Sequence, residues 1–225
     1  ISPDDEEEGD NGGPGVCEEP SSPGSQDLGM PGSMVGNPIS VITGNKYQRE
    51  QDIGPLPGEL AVDFSRRYNS LSQHRGVLGH GWRHDYETRL RVEGDALIIE
   101  QGDGRRAYFE GQGTRRLGRI ASDGEVIAVD AGFDWHLPDG RTLQFDTDGR
   151  LHSIRRPGGA RLRLLYDRGG AKLLAVSDHQ DRRLDLAYYP NGRLQRVTGP
   201  GDGHIDYTYD SAGNLEYVRH ADGST

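Results

Sequence analysis

The sequence is poor in cysteine, in apolar residues and in long hydrophobic runs, and each shortage excludes a class of protein. Cys17 is the only cysteine among 225 residues, which excludes an internal disulfide framework and a zinc site built from several cysteines. Hydrophobic residues make up 32% of the chain, and the mean hydropathy is -0.79. Because no apolar run approaches the roughly 18 residues that a membrane helix needs, we expect no membrane span.

Charge is distributed unevenly along the chain. Residues 1–36 contain nine acidic residues and no Lys or Arg, whereas the remaining residues carry 27 acids and 26 bases. The same segment is rich in Gly, Pro and Ser, a composition that cannot bury enough apolar surface to offset the entropy of ordering. We therefore predict a disordered acidic leader at residues 1–36. The nearly neutral body that follows does not favour nucleic-acid binding, for which a basic face is expected.

Glycine is abundant, at 34 of 225 residues, and this favours turns over long helices. From Trp82 to Val92 every second residue falls on one side of a strand, while the residues between them are charged. This period of two predicts one continuous strand over that range. Gly94-Asp95 then predicts a hairpin turn into residues 96–100. With further Asp-Gly turns downstream, the pattern predicts an antiparallel, hairpin-rich, all-β protein.

Residues 141–225 contain an internal repeat. Each unit has an aromatic residue, an Asp or Asn turn with Gly, and then a leucine, and the four leucines are 22, 21 and 21 residues apart. The third unit has Pro190 where Asp is usual. Such a strand-turn-strand unit cannot bury its apolar face alone and needs its neighbours. The predicted repeat residues are Phe145, Asp146, Gly149, Leu151, Tyr166, Asp167, Leu173, Tyr189, Gly192, Leu194, Tyr209, Asp210, Gly213 and Leu215.

These residues carry a family resemblance. The repeat resembles the Tyr-Asp repeat of Rhs proteins, and residues 37–140 resemble the region that opens the core of bacterial Rhs toxins. Three stretches carry the second likeness, at residues 36–47, 64–70 and 79–84. The core-opening residues are Gly36, Asn37, Pro38, Thr43, Gly44, Asn45, Tyr68, Asn69, Gly79, Gly81, Trp82 and His84.

The resemblance implies a β-sheet that coils into a shell around a C-terminal toxin domain, which is delivered to competitor cells by type VI secretion or a related export route. The implied partners are the rest of the shell, the enclosed toxin, and secretion or chaperone proteins. We expect an exported protein, of which this chain is a truncated N-terminal portion whose last repeat is left uncovered. A surface adhesin or glycan-binding repeat module is the alternative function, and a hydrolase is a third.

No pattern in the sequence predicts a catalytic residue, a metal ligand or a cofactor site. His80 and His84 are four residues apart, which on a strand is about 13 Å and too far for one ion. Asp146 begins a stretch that resembles a calcium loop, but Pro157 stands at its twelfth position in place of glutamate. Cys17 lies beside two glutamates that disfavour a thiolate nucleophile. We therefore predict a structural role without an activity of its own.

Overall fold

The computed structural model describes residues 34–35, 39–40, 44–60, 62–201 and 203–224. In this part of the chain the helices are two short 3-10 turns, Asp85–Glu87 and Ala121–Asp123, and the remaining regular structure is β-strand. The all-β prediction is confirmed. The strands are β1 (Met34–Val35), β2 (Ile39–Ser40), β3 (Tyr47–Ile53), β4 (Phe64–Asn69), β5 (Arg75–Gly76), β6 (Gly79–His80), β7 (Trp82–His84), β8 (Arg89–Glu93), β9 (Ala96–Glu100), β10 (Arg106–Glu110), β11 (Arg115–Gly118), β12 (Glu125–Val129), β13 (Gly132–His136), β14 (Thr142–Phe145), β15 (Leu151–Arg155), β16 (Arg161–Tyr166), β17 (Leu173–Asp178), β18 (Arg183–Tyr188), β19 (Leu194–Thr198), β20 (His204–Tyr209) and β21 (Leu215–His220).

One antiparallel sheet contains β8 to β21, each strand hydrogen-bonded to its neighbours in the chain. A second sheet has the order β3-β4-β7, and β1-β2 and β5-β6 form two small pairs. The predicted hairpin at Gly94-Asp95 is present, since Glu93 pairs with Ala96 across a two-residue loop. The large sheet continues through residue 140 from β13 to β14, so the predicted boundary at 140 lies within one sheet.

The predicted continuous strand from Trp82 to Val92 is wrong. β7 ends at His84, a 3-10 turn follows, and β8 begins at Arg89. The chain leaves the three-stranded sheet here and enters the large one. The alternation predicts the buried side chains only as far as Leu90, since Tyr86 and Leu90 are buried but Val92 is 57% exposed, and it does not identify the strand that each half pairs with.

The large sheet curls so that its first strand meets the turn between β14 and β15. The Leu90 N–H donates to the carbonyl oxygen of Gly149 at 2.9 Å. Gly149 has a φ of +74°, and a Cβ at this position would lie 2.0 Å from the Leu90 oxygen. Glycine is therefore required by both the turn and the close approach of the strand.

A single apolar core joins the N-terminal part of the body to the repeats. The core runs from Leu60 to Tyr207 and includes residues of the three-stranded sheet and of the large sheet. Backbone contacts reinforce this packing, as the Leu194 N–H donates to the Val77 carbonyl at 2.9 Å. Arg182 likewise donates from Nη1 to the Pro57 carbonyl at 2.8 Å. Residues 44–60 and 62–84 thus cover one face of the repeat strands.

Residues 1–33 of the predicted leader lie outside the described residues, as do Gly36, Asn37, Pro38 and Thr43 of the core-opening set. Within the leader, Met34–Val35 pairs antiparallel with Ile39–Ser40. Disorder of the leader stays a prediction for the rest of that segment, as do the predicted domain bounds.

Candidate functional site

Tyrosine hydroxyls connect successive repeat units. Three tyrosines at the ends of β16, β18 and β20 each donate a hydrogen bond to the backbone carbonyl of a leucine 15 residues earlier, which begins the second strand of the preceding unit. The first unit has Phe145 at this position, which carries no hydroxyl. We call these three bonds the tyrosine ladder. They are Tyr166 to Leu151 at 2.8 Å, Tyr188 to Leu173 at 2.7 Å and Tyr209 to Leu194 at 2.8 Å.

The ladder corrects one predicted repeat residue. Tyr188, and not Tyr189, is the aromatic residue of the third unit, because Tyr188 pairs with Leu194 at the end of its strand. Tyr189 takes the turn position of Asp, and its N–H donates to the Arg193 carbonyl at 2.9 Å. Two adjacent tyrosines before Pro190 left the register ambiguous by one residue. The 15-residue spacing to the preceding leucine is the signal that distinguishes them.

The aspartates of the Tyr-Asp motif close the turns. Oδ1 of Asp146, Asp167 and Asp210 accepts backbone N–H groups four residues further along the chain, at 2.9, 2.8 and 2.8 Å. The backbone N–H of Asn214 and its side-chain amide hold the pKa of Asp210 below its usual value. Each turn also contains a glycine with a positive φ, at Gly149, Gly170, Gly192 and Gly213. The motif leucines Leu151, Leu173 and Leu194 are buried, and Leu215 is half-buried.

Residues of the core-opening set meet in the structure. Buried Asn45 accepts at Oδ1 from the Ser70 hydroxyl at 3.0 Å, and Gly44, with a φ of +70°, precedes it. The Asn69 N–H donates to the Gly81 carbonyl at 3.0 Å. The rings of Tyr68 and Trp82 lie 5.2 Å apart. These contacts fasten the ends of β3, β4 and β7 to one another.

The core-opening set also touches the repeats. Gly79 has a φ of +96°, and a Cβ there would lie 2.9 Å from the Gly213 carbonyl oxygen of the last repeat turn. Next to it, the Val77 carbonyl lies 3.2 Å from the Tyr209 hydroxyl and shares its single proton with the Leu194 carbonyl. The two sets of residues that the sequence analysis identified separately therefore form one contact.

A buried polar triad spans the same interface. Asp52 on β3 accepts from Arg66 Nε on β4 at 2.9 and 3.0 Å, and from the Tyr207 hydroxyl on β20 at 2.7 Å. The side chains of Asp52 and Arg66 are 2% and 10% exposed. Burial raises the pKa of Asp52, although Arg66 and Tyr207 oppose this shift. The Arg66 guanidinium also lies 4.5 Å from the centre of the Trp82 ring.

A second polar cluster lies where β7 meets the 3-10 turn. Glu87 Oε2 lies 2.8 Å from His74 Nε2, and Glu87 Oε1 lies 3.4 Å from His84 Nε2. Burial raises the pKa of Glu87, but the two histidines and Arg83 outweigh it and hold that pKa below its usual value. Burial lowers the pKa of His84, whose ring stacks on Phe64 at 5.2 Å.

His80 is placed apart from this cluster, in β6, where it pairs with Arg75. Within the described ranges, no group of three or more His, Cys, Asp or Glu side chains is arranged to hold a metal ion. No helix in the same ranges is long and apolar enough to cross a membrane. The polar contacts described above lie within the repeats, within the N-terminal region and between the two.

Comparison with known proteins connects both regions to one family. A model of a domain of unknown function, DUF6531, matches residues 36–109, and the RHS Repeat model matches residues 188–225. Double-stranded DNA deaminase toxin A of Burkholderia cenocepacia (strain H111) is 31% identical over 204 residues, which is 74% of this chain. The chain belongs to the Rhs, or Tyr-Asp repeat, family of polymorphic toxins. Probable deoxyribonuclease RhsA of Dickeya dadantii (strain 3937) is 25% identical over 224 residues, or 80% of the chain.

This Rhs chain spans 14% and 15% of the lengths of those two relatives. Among solved structures, the crystal structure of TcdB2-TccC3-Cdc42 is similar, with 15% identity and a TM-score of 0.31 over 81% of this chain and 10% of that one. The crystal structure of TcdB2-TccC3-TEV has 15% identity and a TM-score of 0.32, over 83% and 10%.

No local sequence pattern identifies Asp52, Arg66 and Tyr207, which join the two regions of the Rhs chain. The same is true of His74 and Glu87, which contact each other within the N-terminal region. Asp52 and Tyr207 are 155 residues apart, so no local pattern connects them. The one available signal is that Arg66 lies in the stretch 64–70, which carries part of the family resemblance.

Proposed function

We propose that this chain forms the N-terminal part of the wall of a β-shell that encloses a C-terminal toxin domain. The observation that supports the proposal best is the covered, curled sheet. Strands β8 to β21 form one antiparallel sheet, and residues 44–84 pack against one of its faces through a single apolar core. A curled sheet with one covered face suits the end of a closed container.

The repeat geometry suits a wall that extends by adding hairpins. Each unit joins its neighbour through ladder bonds and strand pairing, so stability is a sum of units and interfaces. Buried leucines face the core, while charged pairs such as Arg196 and Asp206 lie on the opposite face. A sheet with one apolar and one charged face separates an enclosed volume from solvent.

The proposed partners are the remainder of the shell and the enclosed toxin domain, with secretion or chaperone proteins acting during export. The relatives are named for DNA deaminase and deoxyribonuclease activities. Because this chain spans a small fraction of their length, we assign no such activity to it. Its proposed role is to contain and protect the toxin domain, which we propose is exported to competitor cells.

Limited proteolysis of the full-length protein tests enclosure. If the shell encloses the toxin domain, that domain resists protease in the full-length protein and is cleaved quickly when it is expressed alone. A Leu78→Asp variant places a charge at a fully buried position and should make the enclosed domain cleavable. Leu117→Asp is the matched control, because Leu117 is 57% exposed. Equal cleavage of the domain in the unaltered full-length protein and in isolation would disprove enclosure.

A further inference from the structure

Among the described residues, three arginines on hairpin β15–β16 lack carboxylate partners. Arg161 and Arg163 alternate with buried Leu162 and Leu164, so they lie on the face opposite the core. Arg155 pairs directly with Arg161 across the hairpin. Across the residues that the structure describes, none of the three forms an ion pair with a carboxylate, and their polar contacts are made with neutral groups. These contacts are Arg155 to Gln144 Oε1 and Arg161 to Ser153 Oγ, both at 3.3 Å. We call Arg155, Arg161 and Arg163 the arginine cluster.

The neighbouring hairpins show how unusual this cluster is. The position of Arg163, opposite Ser153, is occupied by Asp185 in hairpin β17–β18 and by Asp206 in hairpin β19–β20. Those aspartates bind arginines, at 2.7 Å for Arg183 and 2.6 Å for Arg196. The same structural position is therefore acidic and paired in two hairpins but basic and unpaired in the first.

Unpaired arginines on facing strands are unfavourable by themselves. Like charges directly opposite each other on a sheet destabilise the pairing. Burial lowers the pKa of Arg161, and the charges of Arg163 and Arg155 lower it further. An anionic ligand with several carboxylates would remove this repulsion, since guanidinium groups bind carboxylates through two parallel hydrogen bonds.

The chain itself carries such a ligand. Residues 1–36 contain nine carboxylates and no Lys or Arg, and six of the nine lie between residues 4 and 10. Met34, the first described residue, is 24 positions after Asp10, and an extended chain of that length spans up to about 80 Å. The acidic run can therefore reach any face of the body. A tethered ligand also acts at an effective concentration of order mM, which favours it over a free acidic molecule.

We propose that the acidic leader of this chain docks on the arginine cluster of hairpin β15–β16. The contact is an array of carboxylate–guanidinium pairs and needs no regular secondary structure in the leader. It neutralises the repulsion between Arg155 and Arg161, and it covers a basic surface on the charged face of the proposed shell wall. Because the partners are exposed charges, the contact weakens steeply with salt.

Cys17 provides a natural probe for the test, since it is the only cysteine and lies in the leader. A nitroxide attached to Cys17 of the isotope-labelled full chain should broaden the amide resonances of residues 153–163 at low salt. The broadening should disappear in 1 M NaCl, where the Debye length is about 3 Å. Absence of broadening at low salt would overturn the proposal.

Two variants separate docking from unrelated proximity. The double variant Arg155→Ser, Arg163→Asp introduces the residue types of the next hairpin, which has Ser177 and Asp185 at the same positions. The double variant should therefore keep the fold and lose the broadening. Arg196→Ala, which removes an exposed but paired arginine, should leave the broadening unchanged. Equal broadening in the unaltered chain and the double variant would refute the proposed surface.

A leader variant keeps the test independent of the body. Replacing the acids at positions 4–8 with their amides leaves every described residue unaltered, and it should abolish the broadening as fully as the double variant does. Retention of the broadening in this variant would overturn the proposal. Broadening that arises only when a nitroxide-labelled chain is mixed with a separate isotope-labelled chain would also overturn it, because docking would then be intermolecular.

Discussion

Replacing Asp52 with alanine would remove the centre of the buried triad that joins β3, β4 and β20. In the unaltered protein Asp52 accepts hydrogen bonds from Arg66 and Tyr207, and its side chain is 2% exposed. The Asp52→Ala variant leaves the guanidinium of Arg66 buried without a countercharge. It also leaves the Tyr207 hydroxyl without its acceptor. The expected result is a large loss of stability at the interface between the N-terminal region and the repeats.

The magnitude follows from the burial of the pair. Removing one partner of a buried ion pair costs about 3–5 kcal/mol, because the other charge stays in a low-dielectric environment. For a body of this size that loss corresponds to a fall in Tm of roughly 6–20 °C. The Arg196–Asp206 pair provides a contrast with similar geometry, at 2.6 and 2.9 Å, but on the surface. Asp206→Ala should cost about 0–1 kcal/mol, as exposed pairs do.

Urea unfolding monitored by circular dichroism and tryptophan fluorescence measures both variants. Trp82 lies against Arg66 and reports on the triad, whereas buried Trp135 reports on the large sheet. A double variant, Asp52→Leu with Arg66→Met, should recover much of the lost stability, since apolar residues often replace a buried ion pair without loss. Similar small losses for Asp52→Ala and Asp206→Ala would refute the reasoning.

Three further predictions concern the ladder, the interface and the turns. Tyr188→Phe removes one ladder hydrogen bond and should lower the free energy of unfolding in urea by about 1 kcal/mol. Tyr217 is 59% exposed, so Tyr217→Phe should change that free energy by less than about 0.5 kcal/mol. Gly79→Ala introduces a Cβ 2.9 Å from a backbone oxygen at a positive φ and should lower the free energy of unfolding by more than about 1 kcal/mol in the same measurement. Its control is Gly54→Ala, whose Cβ would meet nothing within 4 Å and which should be neutral or slightly stabilising. Burial raises the pKa of Asp146, but the backbone and guanidinium of Arg150 outweigh it and lower that pKa. The stabilisation that Asp146 provides is therefore present above the unfolded pKa of about 3.9 and is lost as pH falls through the folded value. In an acid titration the Asp146→Asn variant should lose less stability than the unaltered protein, and an equal loss in the two proteins would contradict this.

Local physical chemistry determined much of this fold from the sequence alone. Alternation of apolar and charged residues places side chains on the two faces of a strand, and glycine after Asp supplies the positive φ that a tight turn needs. The hairpin at Gly94-Asp95 and the period of the repeats followed from these effects. The buried repeat leucines followed too, because each recurs at the start of a strand that faces the core.

Only the tertiary structure decided which residues meet across the chain. The break after His84, the assignment of Tyr188 to the ladder and the triad at Asp52 each depend on a partner that is distant in sequence or on exact strand register. Local periodicity is equally compatible with several such pairings. The free energy that selects one of them comes mainly from burying the shared apolar core, and the triad of Asp52, Arg66 and Tyr207 disfavours other pairings because each displaced partner leaves the others buried and unpaired.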